Sequence, residues 1–127
     1  DKSIEALEQA LVITPNNYQA MEKLGVTYMR MGDNDSAEQI FKEVIDIKPS
    51  YYRAYSRLAA LYGNKGNYSL SMAYLMKSIE INPYYAEPYY NLGVLYEIYG
   101  KKNEARQFYL KAYQLDPTNK LYASRLN

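Results

Sequence analysis

The side chains that most often perform chemistry in proteins are missing here, because the sequence contains neither histidine nor cysteine. That removes the commonest general base, the commonest metal ligand and the thiolate nucleophile, and it rules out disulfides and zinc-thiolate centres. Carboxylate pairs such as Glu38 and Glu43 exist, but their spacing puts them on exposed helix faces and not in a pocket. Gly63-Asn64-Lys65-Gly66 lacks the Lys-Ser or Lys-Thr that completes a phosphate-cradling loop. No catalytic residue, metal ligand or cofactor site emerges, and the segment reads as non-enzymatic. The chemistry left is recognition. Arg30, Arg53, Arg57 and Arg125 carry guanidinium forks that match carboxylates, and 17 tyrosines supply the bulk of the aromatic surface.

Fifteen basic and fourteen acidic residues leave a net charge of +1. A nucleic-acid binder draws most of its affinity from neutralising phosphates, so this balance argues against that class. The 127 residues amount to one domain. No apolar run approaches the ~20 residues of a membrane span, so a soluble chain is expected. Its cytoplasmic location is slightly favoured, though lack of cysteine suits any compartment. The opening Asp1-Lys2-Ser3-Ile4-Glu5 is no signal peptide and lacks an initiating Met, which reads as a segment excised from a longer protein.

The elements that position these side chains are announced by proline. Pro15, Pro49, Pro83 and Pro117 recur every 34 residues, each with an aliphatic residue two places before it. Proline lacks an amide hydrogen and clashes with the preceding turn, so each should stop a helix. Counting units from Tyr18, Tyr52, Ala86 and Lys120, position 7 is Leu24, Leu58, Leu92 and Leu126. Position 8 is Gly25, Ala59 and Gly93; position 11 is Tyr28, Tyr62 and Tyr96; position 4 is Met21, Tyr55 and Tyr89. These offsets fall on one face of a helix. Gly32, Gly66 and Gly100 at position 15 should end that helix in the left-handed conformation.

A second helix should follow each glycine, burying Ala37, Phe41 and Val44, then Ser71, Leu75 and Ser78, then Ala105, Tyr109 and Ala112. Mostly small residues flank a larger one, which lets two helix backbones approach closely. Asp33, Asn34 and Asp35, Asn67 and Ser69, or Asn103 offer capping oxygens at the second-helix starts. The expected division is a lone second helix in a partial repeat (1–17), three full repeats (18–51, 52–85 and 86–119) and the start of a further first helix (120–127). Both ends fall inside a unit, as in a piece cut from a longer array.

This pattern resembles the tetratricopeptide repeat family, whose unit favours Leu-Gly at 7 and 8, Tyr at 11, Gly at 15, Ala at 20 and 27, an aromatic at 24 and Pro at 32. The third unit, from Ala86 to Pro117, matches nearly throughout, and the second departs most, with Ala59, Ser71 and Ser78. The resemblance implies an all-α, right-handed solenoid of stacked helix-turn-helix repeats whose first helices line a concave groove. It also implies a scaffold that binds a protein or peptide segment there.

At ~100° per residue, positions 2, 5, 6, 9, 12 and 13 point away from the buried stripe. They are Gln19, Glu22, Lys23, Val26, Met29 and Arg30 in the first unit, and Arg53, Ser56, Arg57, Ala60, Gly63 and Asn64 in the second. The third gives Glu87, Tyr90, Asn91, Val94, Glu97 and Ile98, followed by Leu121, Ser124 and Arg125. Small Ala60 and Gly63 leave space in the middle unit. Lys23, Arg30, Arg53 and Arg57 should make one half basic, with Glu87 and Glu97 making the other more acidic. An extended peptide with an acidic residue toward the first two units suits such a groove. The plain alternative is that these charges pair across adjacent first helices and bind nothing. A further alternative is a spacer or self-assembling array that associates through its open end repeats.

Most tyrosines have core positions, which leaves Tyr90 as the best groove candidate among them. Family members that clamp a chaperone's C-terminal carboxylates use Lys, Asn, Asn, Lys and Arg where this chain has Glu22, Val26, Arg57, Glu87 and Asn91 in turn, so the clamp is absent. A chaperone-tail peptide at millimolar concentration should therefore leave the amide NMR spectrum unchanged. Tight binding would refute the residue-by-residue comparison.

Overall fold

Two residue types stop every long helix. In the computed structural model, which describes residues 2–127, the eight helices are α1 (Lys2–Ile13), α2 (Tyr18–Arg30), α3 (Asn34–Ile47), α4 (Tyr52–Asn64), α5 (Tyr68–Ile81), α6 (Glu87–Ile98), α7 (Lys102–Leu115) and α8 (Lys120–Ser124). Odd-numbered α1 to α7 end at Ile13, Ile47, Ile81 and Leu115, the aliphatic residues two before each proline. Even-numbered α2 to α6 end two residues before Gly32, Gly66 and Gly100, whose φ values are 84°, 84° and 78°. A side chain is strained at such φ, so glycine is required there. The amide after each glycine closes back on the tyrosine carbonyl at position 11: Asp33 to Tyr28 (2.9 Å), Asn67 to Tyr62 (2.9 Å) and Lys101 to Tyr96 (2.8 Å).

The residue after each glycine is then the N-cap of the second helix. Asp33 accepts from the Ser36 amide at 3.1 Å and Asn67 from the Leu70 amide at 3.3 Å. Asn103 does not cap as expected. It lies in the first turn of α7, because Gly100 places the cap at Lys101, which offers no acceptor.

Successive helices pack side by side, and α2, α4 and α6 also touch in a row, giving an α-solenoid. Leu24, Leu58 and Leu92 are 5%, 0% and 1% exposed, so the sequence stripe is the core. Position 8 meets position 24 inside each pair. A methyl group built at Gly25 would sit 2.5 Å from the Phe41 ring, and one at Gly93 2.5 Å from the Tyr109 ring. The middle unit solves the same contact with Ala59 against Leu75, both fully buried. Its buried serines are satisfied by α4: Ser71 Oγ donates to the Ala59 carbonyl at 2.7 Å and Ser78 Oγ to the Tyr52 carbonyl at 2.9 Å. Position-4 tyrosines repeat one bond, with Tyr55 and Tyr89 each donating at 2.8 Å to the carbonyl of the preceding Pro49 or Pro83.

The middle unit supplies a test of this contact. Gly25→Ala should destabilise the fold by about 1–3 kcal/mol through overpacking. Combined with Phe41→Leu, it should cost clearly less than the two single changes added together, as read from urea unfolding midpoints. Strict additivity would show that the methyl does not meet the ring.

Candidate functional site

Starting a first helix after each proline turn puts the face opposite the core on α2, α4 and α6. A concavity of about 870 Å3 opens at the α1–α2–α4 end. Gln19, Glu22, Lys23, Val26, Arg30, Arg53 and Arg57 all line it, joined by Tyr51, Tyr52 and Leu7. Seven of the expected groove residues thus share one concavity. Glu22, like Ser56 on α4, is not the outward residue that helix geometry alone predicts. Ser56 is fully buried, and Glu22 is only 6% exposed and is the floor of the site.

Glu22 gathers four hydrogen bonds, three from arginines of the next unit and one from Tyr51 at the turn before it. Arg53 Nε lies 3.1 Å from Oε1 and 3.2 Å from Oε2, and Arg57 Nε lies 3.1 Å from Oε2. The Tyr51 hydroxyl donates at 2.5 Å. Burial alone would raise the Glu22 carboxyl, but donation from Tyr51, donation and charge from Arg53, and donation from Arg57 outweigh it and hold it below its ordinary value. Burial and then Glu22 itself push the Tyr51 phenol far upward, so it remains a donor at physiological pH. The pairing of charges across adjacent first helices is therefore real, and the expected split into basic and acidic halves is weakened. Arg57 also comes within 3.8 Å of Glu87, which accepts from Ser56 at 3.2 Å and Tyr85 at 2.7 Å.

Both arginines are engaged mainly through Nε, the inner edge of the guanidinium. Their side chains keep 40% and 25% exposure, and among the described residues no hydrogen bond engages the Nη atoms of Arg53. Lys23 and Arg30 are exposed and form no ion pair among the described residues. Around the concavity four cations thus face one carboxylate.

The other expected site residues lie elsewhere along the row. Ala60, Asn64, Asn91 and Val94 line a separate notch of about 220 Å3 between α4 and α6. Tyr90 does not stand as an open platform. Its ring packs 5.5 Å from Tyr109 and 5.2 Å from Tyr122, Arg125 lies over it at 5.7 Å, and its hydroxyl accepts from Arg125 at 3.1 Å. Arg125 also lies 3.7 Å from Glu97, so these two charges offset each other at the α8 end. The reason is geometric: a residue pointing away from its own helix's core stripe still meets the next unit.

Reasoning unit by unit missed Tyr51 and the inward role of Glu22. The available signal was an acidic residue with Arg53 and Arg57 31 and 35 places on, about one repeat away.

With this geometry in view, the likeness to known proteins is informative. The chain belongs to the tetratricopeptide repeat family, whose models match residues 1–62, 52–85 and 74–107. No curated protein sequence matches it. Among solved structures, the crystal structure of MamA is 27% identical, covering 97% of this chain and 72% of that chain with a TM-score of 0.76. A mutant O-GlcNAc transferase from Thermobaculum terrenum is 27% identical over 86% of this chain and 21% of that chain, with a TM-score of 0.79. The first repeat domain of Spaghetti (RPAP3), bound to an HSP90 peptide, is similar in fold, with 19% identity, 86% coverage of both chains and a TM-score of 0.76. No helix among the described residues is long and apolar enough to cross a membrane.

Glu22→Gln should cost about 2 kcal/mol at pH 7, because hydrogen bonds to a charged group are lost and two arginines lose their counter-charge. The lowered pKa means this stabilisation is full above about 4.5 and fades as pH falls through the lower folded-state value. Wild type and variant should therefore converge in urea unfolding monitored from pH 7 down to pH 3. A gap independent of pH would show that the carboxylate is not stabilised by the fold.

Proposed function

We propose that this chain is a non-catalytic interaction module whose concave face takes an extended peptide or partner segment, with an acidic side chain seated at Arg53 and Arg57. The observation that carries the reading is the way Glu22 holds both guanidinium groups by their inner edges. A carboxylate entering from the groove meets preoriented Nη donors, so little side-chain entropy is lost on binding. Lys23 and Arg30 add unpaired positive charge at the rim of the same concavity, and Val26 contributes an apolar wall. Membership of a repeat family that typically serves protein interaction supports the scaffold role, and no chemical step is assigned to the segment.

An HSP90 peptide of sequence SRMEEVD occupies one fold relative, but that does not transfer to this chain. Glu22 and Glu87 stand where the family's carboxylate-clamp pattern calls for Lys, and both are already tied to Arg57.

The test must respect the double role of the arginines, because reversing their charge would strand buried Glu22. Arg53→Lys with Arg57→Lys keeps a cation beside Glu22 and removes the outward forks. Selection from a random decapeptide display library should enrich acidic segments, and the double lysine variant should bind them roughly tenfold more weakly with its helical circular dichroism retained. Enrichment without acidic residues, or undiminished binding by the variant, would defeat the reading. Association in sedimentation that charged substitutions at Leu7 or Leu126 weaken, with no peptide enriched, would favour self-assembly instead.

A further inference from the structure

The three repeats are versions of one design, so a difference between equivalent interfaces is informative. Where α2 meets α4, positions 9 and 12 of the first unit are Val26 and Met29, and both pack against the cluster containing Phe41, Leu58 and Leu61. Where α4 meets α6, the same positions are Ala60 and Gly63, which share a notch with Leu95, the equivalent of Leu61. Tyr68 and Ser71 of α5 reach this space, Ser71 Oγ lying 3.3 Å from where a Gly63 Cβ would stand, but they do not fill the gap between α4 and α6. The notch of about 220 Å3 stays open between them, roomier than the ~30 Å3 share of a single water.

Its lining is mostly apolar. Val94 and Ile98 form the α6 wall, with Ile98 50% exposed, and the backbone-hugging Ala60 and Gly63 form the α4 wall. Asn64 and Asn91 sit at the same notch, and among the described residues no hydrogen bond occupies either side-chain amide. An amide with both a donor and an acceptor unused matches the peptide group of an extended chain. Small residues on one wall, aliphatics on the other and amides at the edge describe a socket for one side chain of a bound segment.

We infer that this notch is a second anchor point, accepting one bulky aliphatic or aromatic side chain of the partner segment whose acidic residue meets Arg53 and Arg57. The inference rests on the proposed acidic-segment reading for its direction along the groove, and charge complementarity at the arginines fixes which end lies where. Arg57 and Gly63 are six residues apart on α4, roughly 9 Å at the helical rise. An extended chain covers that distance in about three residues. The partner therefore carries an acidic residue and a bulky apolar residue about three positions apart.

The probes are three acetylated, amidated octapeptides of Gly and Ser carrying a single Glu, a single Leu, or both three positions apart. Binding is followed by the Arg Nε–H signals of Arg53 and Arg57 and the methyl signals of Val94 and Ile98. The two-residue peptide should move both sets and bind roughly tenfold more tightly than the Glu peptide, as burying one leucine side chain predicts. Ala60→Val with Gly63→Met copies the first unit's filler into the notch; Ala60→Val alone is the milder version should Gly63→Met disturb Ser71, whose Oγ would lie 3.3 Å from the new Cβ. Either folded variant should erase the advantage of the leucine and leave Glu-peptide binding unchanged. Equal affinity of the Glu and two-residue peptides, still methyl signals, or an advantage that survives in both filled variants would overturn the socket while leaving the acidic site standing. A Glu peptide that leaves the arginine signals unmoved, alongside a Leu peptide that shifts Val94 and Ile98, would instead remove the acidic site and keep the socket.

Discussion

Close approach of the two helices within each unit is the constraint from which the rest follows. Where position 8 is glycine, an aromatic ring from the second helix lies directly on the backbone, as Phe41 does over Gly25 and Tyr109 over Gly93. The middle unit exchanges ring for methyl, Leu75 against Ala59, and keeps the helices packed with a different division of volume. Interiors at crystal-like density leave no other way to hold neighbouring helix pairs in phase. Once that contact is made, the leucines at position 7 are sealed and the opposite faces of α2, α4 and α6 form a continuous row.

That row is not a passive surface. Glu22 lies deep enough to lose most of its contact with water, and a buried carboxylate is tolerated only when its hydrogen-bonding capacity is met. Arg53 and Arg57 of the following unit, with Tyr51 from the turn that leads into it, meet it. The ion cluster therefore fastens one repeat to the next and at the same time aims two guanidinium groups at the concavity. A similar duty falls to Glu38, which receives Lys42 at 2.8 Å, Lys65 at 3.0 Å and the Tyr62 hydroxyl at 2.8 Å. Those bonds, that from Lys42 foremost, lower its pKa to about 2. Glu38 links α3 to α4 outside the groove concavity, so the same chemistry serves cohesion alone there.

The tyrosines follow the same economy of dual use. Tyr18 with Tyr51 and Tyr52 with Tyr85 pack at 5.0 Å where units meet, while the hydroxyls of Tyr51 and Tyr85 reach Glu22 and Glu87. A ring that is apolar on its face and polar at its tip can close a turn and anchor a charge in one residue. The row of first helices is thus dressed mostly by side chains committed to neighbours, and the notch beside Ala60 and Gly63 stands out because it is not.

The repeat length, the helix ends and the core stripe were legible in the sequence, because proline, glycine and 3.6-residue periodicity act locally and do not depend on the partner helix. For positions 2, 5, 6, 9, 12 and 13 helix geometry gave only a direction away from the stripe, and Glu22 and Ser56 are nonetheless 6% and 0% exposed. Whether a residue on that face meets solvent or the next unit was decided only by the stacking of repeats. Glu22 became a buried floor, Tyr90 a covered ring and Arg57 a shared partner of two carboxylates, because each is met by side chains about one repeat away in sequence. Local periodicity specifies a direction from the helix axis, and only the tertiary structure specifies what lies at the end of it.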